Sequence, residues 1–432
     1  MNEKTSTLER DCFTDYALLP DPYSYFETLR AGGPVVVAGD PAIAYVTGFE
    51  ESVEILNDAS RFSSLPAATG PKTALSFVPQ GDDITDQIAA SRDPDSPLSL
   101  LVTYDGQQHS LNRALLSKLF TPLRLKQSEA FMRDHAASAV GKVVAEQGCE
   151  IIDDIAAPYV TYVIADMLGV PDADRIRFKD SIRENAPAGF LGDPLGIVPS
   201  APLQYMYDFF LRYLTDRREK PRDDVMSWLA AACYADGTRP PILEIVKSAM
   251  FLFSAGQDTS ALLLCNALRY LAEHPDLQRR LRADDTLLPN FVEEMVRMHG
   301  SIKMTSRLTV RTTKVGGVEL KAGTPIAVIL AAANRDPRQW ENPEEFDLER
   351  PKLKQQVGFS RGAHTCLGAP LARAEVTLML EAFLDQTSSI EIDEARHGPA
   401  EDRRFKYVPS FMNYGLEELH LKFTPASSDI KG

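Results

Sequence analysis

Apolar residues recur every three to four positions over most of the chain, the spacing of amphipathic helices. The pattern predicts helices over 22–31, 50–58, 108–119, 125–146, 155–168, 203–218 and 224–235. The first opens with Asp21 as a candidate N-cap and Pro22 at the first helical position. A much longer helix is expected over 241–273 and should stop at His274-Pro275, since a residue before proline avoids the helical region. Further helices are predicted over 291–298 and 369–384. Strand patterns are fewer. The runs 35–37 and 43–47 flank Gly39-Asp40-Pro41 as a hairpin, and 308–312 and 315–320 flank a turn with Gly316-Gly317 beside it. The apolar run 325–333 has the composition of a further strand. The fold class is therefore mainly α, with small sheets at the periphery. Two stretches break the periodicity, 65–104 with five prolines and 186–202; such long irregular segments in a compact protein are expected to be lids or disordered inserts. No repeat or linker divides residues 1–432, so a single domain is expected.

Charge narrows the function. Lys and Arg number 46 against 61 Asp and Glu, a net charge of −15, which disfavours a nucleic-acid partner because phosphate contacts need a basic face. Cysteines at 12, 149, 233, 265 and 366 show no paired spacing, as expected of a reduced cytoplasmic protein. The first 19 residues lack the apolar core of a leader. The best candidate membrane span, 249–265, is broken by Gly256, Gln257, Asp258 and Thr259, so a soluble protein is expected.

Candidate chemistry sits in the last half. Phe359-Ser360-Arg361-Gly362-Ala363-His364-Thr365-Cys366-Leu367-Gly368-Ala369-Pro370 delivers Cys366 to the mouth of a helix. Free N–H groups there favour a thiolate, and a soft thiolate is a good axial ligand for haem iron. A packed hydrophobic cysteine, a nucleophile with His364 and a zinc ligand are the competing readings. In the long helix, Ala255-Gly256-Gln257-Asp258-Thr259-Ser260 carries a helix-weakening glycine, and Thr259 can turn its hydroxyl onto the Ala255 carbonyl. An acid and an alcohol beside a loosened helix make a proton-delivery site; a glycine that lets another helix cross is the alternative. Glu294 and Arg297, in EMVR, share one helix face.

Taken in order, AGQDTS, EMVR, FDLER and FSRGAHTCLG resemble the motifs of the cytochrome P450 family, the haem-thiolate monooxygenases. The agreement covers 245–383, with Phe359, Gly362, His364, Cys366 and Gly368 at signature positions; Ser360 stands where many members carry glycine. The resemblance implies haem b as cofactor, with Cys366 as the proximal iron ligand. It implies Asp258 and Thr259 as the pair that manages protons for dioxygen, with Gly256 opening the groove. His109, Arg113, Arg307 and His364 fall at positions that pair the haem propionates, and Glu294, Arg297 and Arg350 at a structural charge triad near the proximal face.

A monooxygenase of this kind, acting as a monomer, takes two electrons from a separate ferredoxin or flavodoxin fed by an NAD(P)H-dependent reductase. An acidic donor calls for local basic charge, for which Lys118, Arg124, Lys126 and Arg361 are the candidates. The resemblance places 65–104, 186–202, 252–257, 301–305 and 411–412 around a largely apolar pocket for a medium-sized hydrophobic molecule. Lys303 is the exception, a possible contact for an acidic substrate. Two other functions are compatible with these motifs: a peroxide-driven peroxygenase, which would dispense with the acid–alcohol relay, and a haem protein that binds ligands without turnover.

Overall fold

The computed structural model describes residues 10–94, 96, 99–171, 173–175 and 200–426, with side chains in the last stretch from 204 onward. The expected lid 186–202 lies outside them, apart from the backbone of 200–202. Helices dominate. Pro22–Ala31 starts as its sequence demands, with the Asp21 carboxylate accepting from the N–H groups of Tyr23 and Ser24. Ile242–Glu273 is one helix of 32 residues, and it ends at His274-Pro275 as expected. Every residue from Ser260 to Arg269 is buried, the mark of a helix enclosed by protein on all sides. It packs against Ala157–Met167, Ser200–Glu219, Leu288–His299 and Ala369–Gln386 in one continuous apolar core. No helix among the described residues is long and apolar enough to cross a membrane.

The main sheet has five strands in the order Val35–Ala38, Ile43–Val46, Pro325–Val328, Thr305–Thr309 and Phe62–Ser63. A three-stranded sheet sets His420–Pro425 between Gly148–Glu150 and Thr387–Ile392. Several expectations are corrected. The expected pairing of 308–312 with 315–320 does not form; instead Thr313–Val315 and Val318–Leu320 close tightly around Gly316-Gly317. Thr305–Thr309 pairs with Pro325–Val328, and the run after Val328 continues as the helix Leu330–Ala333, not as strand. The segment 224–235 is helical only over Val225–Ala230. The irregular 65–104 stretch contains the helix Thr85–Ser91, because Ile84 and Ile88 bury against Leu308 and Val310. The helix Pro275–Ala283 was not anticipated, since it is short and polar: Leu277 and Leu281 are its only large apolar residues, and only Gln278 and Leu281 are buried.

Candidate active site

A cavity with an empty volume of about 1570 Å³, its open mouth included, lies between the long helix and the cysteine loop. Ala255, Gly256, Thr259 and Ser260 of the long helix line it, and so do Phe359, His364, Cys366 and Gly368 of the cysteine loop. The cysteine loop is held by backbone bonds, Cys366 N–H to Phe359 O at 2.8 Å and Ser360 N–H to Val357 O at 2.8 Å. Gly362 is required twice over, by a φ of +67° and because a Cβ would lie 2.4 Å from the Leu56 carbonyl oxygen. Ser360, the departure from the family pattern, adopts a φ of +61°. That left-handed conformation is one glycine enters freely and serine only at a cost of roughly 1–2 kcal/mol.

The Cys366 sulfur faces the cavity, near the start of Ala369–Gln386. Burial pushes its thiol up, against the N–H groups of Gly368 and Ala369 and the charges of Arg113 and Arg373, which pull it down. The expected preference for thiolate at a helix start is thus outweighed by desolvation; a metal cation bound on the cavity side would reverse the balance, since a coordinated thiol is deprotonated. The competing readings of this cysteine lose ground. It lines a cavity and is not packed among apolar side chains. Among the described residues no cluster of three His, Cys, Asp or Glu could hold a metal. The His364 ring lies against His109, with centroids 4.1 Å apart.

At one rim the structure gathers His109, Arg113, Arg307 and His364. The Nε2 atoms of both histidines are buried without a partner. Arg113 donates to the Thr365 carbonyl at 2.6 Å, and Arg307 to the Ser306 carbonyl at 2.7 Å and the Thr305 hydroxyl at 3.2 Å. The bonds of both arginines go to neutral oxygens, and neither forms an ion pair with a carboxylate among the described residues. Burial, then the neighbouring cations, drives His364 down to about 2, and burial brings Arg307 down to about 10. Burial also lowers His109 and Arg113. Such a cradle lacks anions. Two propionate groups would satisfy the orphaned nitrogens and unpaired guanidinium groups together, so the residues present fit haem. Arg92, bonded to Asp105 at 2.6 Å and acting electrostatically on His364, belongs to the same rim and gave no sequence signal.

On the distal wall, the Thr259 hydroxyl donates to the Ala255 carbonyl at 2.8 Å, the bond its sequence anticipates. Gly256 is not forced by a crossing helix: a Cβ there would sit 3.6 Å from the Ile164 side chain, an ordinary contact. Asp258 is half-buried, has no partner among the described residues, and does not line the cavity; burial raises it to about 6. Two placements differ from expectation or were missed. Lys303 does not reach the cavity: it is 3% exposed, donates to the Ser410 carbonyl at 2.9 Å, and stands 5.6 Å from the Tyr414 ring centre. Glu375, overlooked in the sequence, is buried on the cysteine helix, lines the cavity against Ser260, and is raised to about 8 by desolvation. A lone acid among Leu371, Val376, Leu378 and Met379 was the available clue.

The knot of Glu294, Arg297 and Arg350 forms in full. Glu294 accepts from Arg297 at 2.7 Å through both oxygens, and from Arg350 at 3.0 Å. Lys118 and Arg124 lie 5.9 and 5.5 Å from the Trp228 ring centre, Lys126 is exposed, and Arg361 donates to the Gln356 carbonyl at 3.2 Å.

With this geometry in hand, residues 201–405 match the family model described as Cytochrome P450. Cytochrome P450 109 of Bacillus spizizenii is 31% identical over 330 residues, covering 75% of this chain and 79% of that protein. Cyclomarin C epoxidase CymV of Salinispora arenicola is 34% identical over 295 residues, covering 68% and 74%. The substrate-free structure of Mycobacterium marinum cytochrome P450 CYP150A6 superimposes with a TM-score of 0.89 at 44% identity, covering 97% of this chain and 99% of that one.

Proposed function

The chain belongs to the cytochrome P450 family, and on that premise we propose that it inserts one atom of O2 into a medium-sized hydrophobic molecule. Its cofactor is haem b, and its electrons come from a separate ferredoxin or flavodoxin with an NAD(P)H-dependent reductase. The observation that carries this reading is that Cys366 and Thr259 line one cavity, beside a rim of unpaired cations.

Haem, when bound, supplies the iron at which dioxygen is activated. The chain supplies the rest. Cys366 offers sulfur steadied by the Gly368 and Ala369 N–H groups. Arg113, Arg307, His109 and His364 would hold its two carboxylates. Thr259 rotates its hydroxyl from the Ala255 carbonyl toward the cavity and hands a proton inward. Asp258, raised to about 6, recharges it through water near neutral pH. Glu294, Arg297 and Arg350 brace the loop and touch no substrate. Ala67, Val102, Phe251, Leu252, Ile302 and Met412 give the cavity an apolar lining. A structural relative binds testosterone, a molecule such a lining suits.

The test is turnover with donor proteins against turnover with peroxide alone, in the wild type and Thr259→Ala. Wild-type product should depend on the donors, and the variant should consume NAD(P)H while releasing peroxide in place of most of the product. Equal coupling in both proteins would remove Thr259 from proton delivery, and efficient product formation from peroxide alone would favour a peroxygenase. Cys366→Ser should lose the strongly red-shifted ferrous–CO band; its survival would reassign the iron ligand.

A further inference from the structure

Beside the main cavity lies a second, shallow pocket, whose empty volume of about 320 Å³ includes the solvent at its open mouth. Phe13, Pro71, Met304, Phe411 and Met412 form its apolar walls, and Lys72 stands at its polar end. Met304 and Met412 also line the main cavity. Two flexible thioethers, among the most adaptable of core side chains, are therefore the partition shared by the two spaces. The two spaces therefore meet at these side chains.

We propose that this pocket binds the anionic end of an amphipathic carboxylic acid, with Lys72 as the residue that meets the carboxylate. The proposal rests on the oxygenase reading and deepens it by naming a substrate class. Away from the cysteine-side rim, the polar groups lining the cavity are Thr259, Ser260, Ser301, Thr305 and the buried acid Glu375, with no cation among them. A carboxylate placed there would be desolvated and unpaired, at a cost of several kcal/mol. Lys303, the sequence candidate for this role, is turned away to Ser410. The side pocket offers what the cavity lacks. Lys72 is paired with Asp11, and its ammonium lies 5.6 Å from the Phe13 ring centre. The two side chains of that pair are 29% and 35% exposed, and an exposed pair contributes only about 0–1 kcal/mol. Exchanging the Asp11 carboxylate for that of a ligand therefore costs little, and the ligand gains apolar contact from Phe13, Pro71 and Phe411. Asp11 then acts as the built-in competitor for the site.

The experiment uses the haem-loaded full chain and two probes, dodecanoate and 1-dodecanol, at pH 8 where the acid is ionised. Dissociation constants come from equilibrium dialysis with labelled ligand, and the haem spectrum is recorded in parallel. Lys72→Met should weaken dodecanoate roughly fivefold and leave dodecanol unchanged; Asp11→Asn should tighten dodecanoate by a similar factor. Sodium chloride at 0.5 M should shrink both differences. Met412→Trp should weaken dodecanoate by obstructing the partition. Equal changes for acid and alcohol, no change in either, or failure of both to bind would each overturn the subsite. Loss of thiolate-ligated haem would instead sink the oxygenase reading, and it would show in the spectrum whatever the dialysis constants report.

Discussion

Two buried, charged regions lie near the cysteine loop, and they are built on opposite terms. In the knot, Arg297 uses all five of its N–H donors: two on Glu294 and one each on the carbonyls of Asn334, Pro343 and Glu345. Glu294 also accepts from the Asp347 N–H, and Asn334 accepts from the Val357 N–H through its side chain, tying the knot to the first residues of the cysteine loop. Nothing there awaits a partner. In the rim of His109, Arg113, Arg307 and His364, two imidazole nitrogens are orphaned and two guanidinium groups have only neutral oxygens. Both regions carry the desolvation penalty of buried charge, yet only the knot offsets it from within the chain. Saturation is the signature of a structural device, and unsatisfied polarity is the signature of a place that a ligand completes.

The largest effect should come from loosening the knot. Arg297→Lys keeps the charge but replaces a planar five-donor fork with a point charge that cannot reach five oxygens. Each bond to a charged group that the ammonium cannot replace is worth about 1.5–3 kcal/mol. Urea unfolding followed by far-UV circular dichroism should show a large fall in midpoint, and haem retention should fall with it. An unchanged midpoint would mean that the carbonyl contacts contribute nothing and that the knot is no brace.

Lys303 is an intermediate case: buried like Arg297, but held by a single carbonyl and the face of Tyr414. Burial lowers its ammonium from 10.5 to about 7, partly offset by Cys12. Between those values the unfolded chain holds the proton and the folded one does not. The unfolded state therefore binds more protons there, and stability climbs as pH rises from about 7 toward 10.5. Below about 7 the folded protein carries the full cost of a buried, unpaired cation. Lys303→Met should remove this contribution, so that the urea midpoint of the variant climbs less than that of wild type between about pH 7 and 9, below the range in which the buried cysteines titrate in the unfolded chain. A variant with the wild-type slope would mean the proton is taken up elsewhere.

These regions also show what a linear pattern can and cannot carry. The long helix, its stop at His274-Pro275 and the Thr259–Ala255 bond depend on neighbours within a few residues, so they were legible. The residues of knot and rim were found because the family resemblance pointed to them; spacing alone places only Glu294 and Arg297 together. Lys303 was misplaced because its environment is assembled from Cys12, Ser410 and Tyr414, at opposite ends of the chain, and no local periodicity encodes that meeting. Glu375 was overlooked for a related reason: its partner Ser260 belongs to another helix. Asp258 and Thr259 are sequence neighbours that a helix turns about 100° apart, which is why only Thr259 lines the cavity.

The smallest effect on folding should come from the rim, and there the contrast with the knot is sharpest. Arg307→Leu removes a cation that burial already disfavours and that meets no carboxylate among the described residues. The Thr305 hydroxyl and the Ser306 carbonyl lose a donor, a penalty of about 1–3 kcal/mol; the relief of an uncompensated buried charge is of comparable size and opposite sign. The apoprotein should therefore unfold within about 1 kcal/mol of wild type, far less than the knot variant loses. Haem affinity should behave differently, because a charge-assisted bond to a carboxylate contributes about 1.5–3 kcal/mol. That corresponds to a roughly ten- to hundredfold weaker dissociation constant, measured by haem transfer to apomyoglobin. If Arg307→Leu destabilises the apoprotein as severely as Arg297→Lys does, the rim is a second structural knot, and the distinction between saturated and waiting polarity fails for this molecule.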